Sequence, residues 1–118
     1  MPRLPHSDRA VVPEAKIVNY LLSVRHSGGR AKARFLEGFG FRAQDWRVLR
    51  DAIIAHARAN DITASYRTHF GTRYEIVGPL PTPEGRTPIV RVVWFVEPQE
   101  NVPRLVTLVP RRIAIDDR

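Results

Sequence analysis

The chain contains no cysteine, which removes disulfides, thiolate-bound zinc and a cysteine nucleophile from consideration. Lysine is nearly absent too: Lys16 and Lys32 are the only two among 19 basic side chains, the rest being arginine. Apolar runs extend for only a few residues, too short to cross a bilayer, so no membrane association is expected. Residues 1–10 hold Arg3, Arg9 and two prolines but no apolar signal core. Nothing there marks the chain for secretion, and a reducing, cytoplasmic setting is the expectation. Serines are few and no Gly-x-Ser-x-Gly elbow occurs. The acidic residues are dispersed, with no pair suggesting a glycosidase or a metal–carboxylate centre. His6, His26, His56 and His69 are scattered, with no two at ligand spacing on one helix, so neither a metal site nor a cofactor is expected.

What remains is a chain of 118 residues, the length of one domain, with an apolar share of 43% that suffices for one modest core. Net charge is +7 and the isoelectric point about 11, values that suit an anionic partner such as RNA or another phosphate-bearing ligand. The arginine bias of a GC-rich genome produces the same balance without any selection for binding, so both explanations stand.

Periodicity divides the single domain, 1–118, into an arm, a helical half and a sheet. Residues 1–12 read as an irregular arm. Pro13 and Glu14 then open a helix over 13–24, with Ile17, Tyr20, Leu21 and Val24 as its buried stripe. A second helix is expected over 29–38, facing the core through Ala31, Phe35 and Phe39. A third, over 43–59, buries Trp46, Leu49, Ile53 and Ala57. His56 follows this stripe and reads as a partly buried packing residue. The helical half thus closes at residue 60. From position 62 to 110 the period changes to two, with strands expected at 63–68, 73–78, 87–96 and 103–109. Short turns join them, so the neighbours are antiparallel. Strand 87–96 is apolar on both faces, as in a strand covered on both sides, with Arg91 its one charged interruption. The tail, 111–118, adds an edge strand or frays. The fold class is therefore α+β, three N-terminal helices packed on a roughly four-stranded antiparallel sheet.

The segment His26-Ser27-Gly28-Gly29-Arg30-Ala31-Lys32-Ala33-Arg34-Phe35 carries the chemistry. Two glycines allow close backbone approach, and a helix start presents free N–H groups to an anion. His26 lies before the turn, and Arg30, Lys32 and Arg34 lie beyond it, so a phosphate would suit this place. The P-loop spacing is missing. The plainer reading is a helix connection with a solvated basic face. Arg91 must reach an edge, find a carboxylate or face a cleft. Thr107, in the apolar run 105–109, is a good strand former or a site residue. An even-numbered loop at 98–101 would put Trp94 and Thr107 on one sheet face, and an odd-numbered one would put Arg91 there instead.

Leu4-Pro5, Arg9-Ala10-Val11-Val12-Pro13, His26-x-x-Gly29-Arg30-x-Lys32-Ala33-Arg34-Phe35-x-x-x-Phe39-Gly40-Phe41 and Asp45-Trp46 resemble a bacterial family of small domains of unknown function. Gly71-Thr72-x-Tyr74, Gly78-Pro79-Leu80, Gly85-Arg86, Val93-Trp94 and Val102 through Thr107 continue the likeness over nearly the whole chain. That family is similar, more distantly, to C-terminal toxin domains of contact-dependent growth-inhibition proteins, which share the Gly-x-x-Lys-Ala-Arg-Phe helix start, the strand tryptophan and the Leu-Val-Thr strand. The resemblance implies the barnase, colicin and RelE ribonuclease fold, metal-independent RNA cleavage by 2′-hydroxyl transesterification, and a toxin–antitoxin setting with an acidic antitoxin or immunity partner. It implies His26 as base or acid, Lys32 with Arg30 or Arg91 stabilising the phosphorane, and Thr107 hydrogen-bonding phosphate or ribose. Gly29 and Arg34 complete the phosphate-binding helix start, and Trp94 walls the cleft or stacks on a base. The alternative is a non-catalytic binding or regulatory module on the same fold, partner of a small neighbouring protein.

Overall fold

The computed structural model of the protein describes residues 2–111; the tail from position 112 lies outside them. Pro13, with its fixed φ of −64°, precedes the first helix, α1, which covers Glu14–Lys16 and continues as a π turn over Ile17–Leu21. The Leu22 amide donates to the Ile17 carbonyl at 2.7 Å, five residues back, and Leu22 then leaves helical geometry. The helix therefore stops short of the expected residue 24. Ile17 and Leu21 are buried, but Val24, expected on the same stripe, is exposed.

Helix α2 covers Arg30–Gly38 and α3 covers Trp46–Ala59 after a 3-10 turn at Ala43–Asp45. On α3 the expected stripe holds: Leu49, Ile53 and Ala57 are fully buried, and Trp46 packs against the core from its rim. His56 goes further than expected and is fully buried. On α2 the buried residues are Ala33 and Leu36, while Ala31 is exposed and the Phe35–Phe39 pair flanks the core with ring centroids 5.1 Å apart. A stripe of strict four-residue steps drifts around a helix of 3.6 residues per turn, so the face that meets the sheet takes the three-residue step instead.

Strands β1 (Ala64–Thr68), β2 (Gly71–Pro79), β3 (Ile89–Val96) and β4 (Pro103–Pro110) form one antiparallel sheet in sequence order. The fold is thus three helices followed by a four-stranded antiparallel sheet. The helices cover the face that presents Ile76, Val90, Val92, Trp94, Leu105 and Leu108. The opposite face, carrying Arg73, Arg91 and Phe95, keeps partial exposure, so β3 is not covered on both sides as its composition suggests. Its double apolarity instead reflects the centre of the sheet, where Val93 is buried among neighbouring strands.

The N-terminal arm is tied down. Leu4 and Val12 enter the core, Arg3 pairs with Asp61 at 2.8 Å, and the Ile62 amide donates to the Pro2 carbonyl at 3.0 Å. Val11 runs parallel to the free edge of β4, accepting from the Leu105 amide at 3.0 Å and donating to the Pro103 carbonyl at 2.8 Å. This contact sets α1 alongside β4.

One irregularity decides which residues share a face. Val96 pairs with Pro103, leaving an even-numbered loop, and Trp94 accordingly faces Leu105. Continued regularly, that register would put Thr107 on the face of Trp94. A bulge leaves Val106 unpaired and brings Thr107 opposite Val93, so Thr107 shares its face with Arg91. Trp94 lies on the other face, inside the core.

Candidate active site at the edge of the sheet

Gly29 holds the site's two helices together. A Cβ at this position would stand 1.9 Å from the Tyr20 carbonyl oxygen, so only glycine lets the start of α2 rest on the end of α1. Its φ of −102° is open to any residue, so the demand is for space alone. The turn before it closes on His26. The Gly28 amide donates to His26 Nδ1 at 2.9 Å, and the amides of Gly29 and Arg30 donate to the His26 carbonyl at 3.0 and 2.9 Å. Three N–H groups expected to face an anion are thereby occupied within the turn.

Lys32, one turn into α2, reaches the edge of β4. Its ammonium donates to the Tyr20 hydroxyl at 2.5 Å and to Thr107 Oγ1 at 2.7 Å, and the two hydroxyls lie 3.0 Å apart. The triangle is closed and partly buried. Both lysines of the chain flank the Tyr20 ring, Lys32 Nζ at 4.8 Å and Lys16 Nζ at 5.6 Å from its centroid. The His26 ring stands edge-on to Tyr20 with centroids 5.0 Å apart. Burial works to raise the Tyr20 pKa, but the hydrogen bonds from Lys32 and Thr107 and the charges of Lys32 and Lys16 outweigh it. The phenol is therefore held below the ordinary value of about 10.

These residues open on a groove of about 630 Å³ lined by Pro13, Lys16, Asn19, Tyr20, His26 and Thr107 among others. Lys32 lies behind it, bonded to two of the lining hydroxyls. Because His26 Nδ1 accepts from Gly28, the neutral ring carries its hydrogen on Nε2 and donates there. In this tautomer the ring has no basic nitrogen to offer the groove. The chemistry available is a phenol whose pKa is lowered from its ordinary value, a cation beside it, and an imidazole N–H donor.

The sequence-predicted residues thus separate. His26, Lys32 and Thr107 come together, with Gly29 beneath them as packing. Arg30 is exposed and donates to the Val24 carbonyl at 3.3 Å, and Arg34 is exposed on α2; neither lines the groove. Arg91 sits on Thr107's sheet face, and its buried Nε has no partner among the described residues. Trp94 is fully buried in the core, which is incompatible with walling a cleft or stacking on a base. Tyr20 is the residue that sequence reasoning assigned to packing alone. Its signal lay in composition: in an arginine-rich chain, one of two lysines stands four residues before it. Among the described residues, no group of three or more histidine or acidic side chains could hold a metal ion, and no helix is long and apolar enough to cross a membrane.

Residues 3–112 match a family described as a domain of unknown function, DUF6883, and the chain belongs to that family. No curated protein matches it by sequence. Its fold is similar to that of a chain in the contact-dependent growth inhibition toxin–immunity protein complex from Klebsiella pneumoniae 342. The TM-score is 0.70 at 15% identity, over 91% of this chain and 97% of that one.

Proposed function

We propose that the protein is a toxin-like ribonuclease that cleaves RNA by transesterification without a metal ion. The observation that carries this reading is the Lys32–Tyr20–Thr107 triangle opening on a groove beside His26. A complex of toxin and immunity protein contains two kinds of chain. The net charge of +7 and a cluster equipped for acid–base chemistry favour the toxin half for this one.

In this mechanism the Tyr20 phenolate takes the proton of a ribose 2′-hydroxyl. The 2′-oxygen forms a bond to the adjacent phosphorus, the bond from phosphorus to the 5′-oxygen breaks, and that oxygen takes a proton from solvent in the open groove. The products are a 2′,3′-cyclic phosphate and a 5′-hydroxyl. The Lys32 ammonium, with two of its three protons on Tyr20 and Thr107, stabilises the phenolate from behind the groove, and its charge favours the phosphorane. His26 Nε2–H donates to a phosphate oxygen, and Arg91 adds positive charge from the same sheet face as Thr107. An acidic immunity protein would silence the site by covering this basic groove.

The test is expression in bacteria of the wild type and Lys32→Ala at equal soluble levels. Growth arrest with accumulating RNA fragments, absent in the variant, is expected. Full growth of wild-type cells with intact RNA contradicts the proposal, and retained RNA binding without turnover would instead identify a non-catalytic module.

A further inference from the structure

The outer face of the sheet carries a second groove of about 590 Å³, lined by Tyr66, Thr68, Arg73, Glu75, Phe95 and Val106. Val106, the bulge residue, also lines the first groove, so the two adjoin at β4. Strand register lays out this surface. Tyr66, Arg73 and Phe95 pair in one row across β1, β2 and β3, and Glu75, Val93 and Thr107 pair in the next across β2, β3 and β4. Strands lie about 4.8 Å apart, so Glu75 is roughly 10 Å from Thr107 along its row. A single nucleotide bridges that span from its phosphate to its base.

We infer that this second groove seats an unpaired nucleobase of the strand whose phosphate lies at Lys32, Tyr20 and Thr107, so that the substrate class is single-stranded RNA. The inference rests on the ribonuclease reading above. Its walls are aromatic: Tyr66 is 53% exposed and outside the core cluster, and the partly exposed Phe95 lies two strands from it, across Arg73. A base has two faces to stack, and such stacking is tolerant of sequence. The polar floor is an ion pair of no net charge, which offers a second phosphate less than an unpaired cation would. Arg73 holds the Glu75 carboxylate at 2.9 Å, and Glu75, with only 14% of its side chain exposed, repels an anion but accepts from the N–H groups on a base edge. Double-stranded RNA keeps those edges paired and its bases stacked on one another, and so has nothing to insert.

The test measures anisotropy of a labelled 2′-O-methyl oligonucleotide, which cannot be cleaved, as a single strand and as a duplex at one fixed salt concentration. The single strand should bind at least tenfold more tightly than the duplex. Tyr66→Ala should weaken single-strand binding roughly ten- to a hundredfold, and Tyr66→Phe should restore it. Equal affinity for the two forms, or Tyr66→Ala binding like wild type, overturns the inference. The two levels fail separately. If unmodified RNA is cut but Tyr66→Ala alters neither binding nor KM, the base site is wrong and the ribonuclease stands. If RNA is never cut but the single strand still binds through Tyr66, cleavage is wrong and the base site stands. Absence of single-strand binding at low salt overturns it too, and leaves the aromatic face to a protein partner.

Discussion

Replacing Gly29 with alanine tests how the site is assembled. The new Cβ would lie 1.9 Å from the Tyr20 carbonyl oxygen and 2.9 Å from its carbon, both backbone atoms that no side-chain rotation can clear. Ordinary contact begins near 3.4 Å, so α2 and the end of α1 must separate by about 1.5 Å, the difference between 3.4 and 1.9. Overpacking of this kind costs about 1–3 kcal/mol. Alanine offsets about 0.4–1 kcal/mol of that by restricting the unfolded chain, because a φ of −102° suits it. The net expectation is a loss of about 0–2.6 kcal/mol in urea denaturation. The same separation carries Lys32 away from the Tyr20 hydroxyl, now 2.5 Å from it, and breaks that hydrogen bond. The Tyr20 phenol should then titrate closer to 10, read by phenolate absorbance after subtracting a Tyr20→Phe protein, since the chain has three tyrosines. Gly28→Ala is the control: its Cβ would meet only side-chain atoms, the His26 ring at 3.2 Å and the Tyr20 ring at an ordinary 3.6 Å, and these can move. A Gly29→Ala protein with unchanged stability and an unchanged Tyr20 titration would refute the reasoning.

Burial lowers the pKa of His56, outweighing the hydrogen bonds to the Gly78 and Val90 backbone. The unfolded chain, with a histidine pKa of about 6.5, therefore takes up the proton first as pH falls. Stability should be flat above about pH 6.5 and fall with acid below it, until the folded form also protonates. Urea midpoints at about pH 7.5 and about pH 5 check this, and His56→Gln should flatten the difference. Thr107→Val removes the hydroxyl that Lys32 and Tyr20 share while keeping the side chain's shape. It should raise the Tyr20 titration midpoint and reduce RNA cleavage by about tenfold or more, given about 1.5–3 kcal/mol for a hydrogen bond to a charged group. A loss of folding stability in place of these effects would argue for a structural role. If Tyr20 is the base, cleavage should rise with pH along a limb lying below the ordinary phenol value, and Lys16→Ala should move that limb upward.

The elements legible in the sequence are those decided by local periodicity. Leu49, Ile53 and Ala57 announce α3, and the change to a two-residue period at Ile62 announces the sheet. What periodicity cannot encode is an irregularity within an element. The π turn that ends α1 at Leu21 left Val24 exposed. The bulge at Val106 reversed the face on which an even-numbered loop would have put Thr107. His26, Lys32 and Thr107, singled out in the sequence, meet at one groove. Tyr20 was not, because it lies on a helix stripe that reads as core and meets Thr107 across 87 positions. Trp94, conspicuous on an apolar strand, serves packing.

Cleavage of RNA by the Lys32–Tyr20–Thr107 cluster leaves a chemical signature. The direct measurement is the chemistry of the ends produced when purified protein, with a chelator present, meets single-stranded RNA. The wild type should leave 2′,3′-cyclic phosphate and 5′-hydroxyl ends, and Lys32→Met should lose cleavage by at least about a hundredfold at unchanged folding stability. Intact RNA with the wild type, or equal cleavage by Lys32→Met, would contradict it.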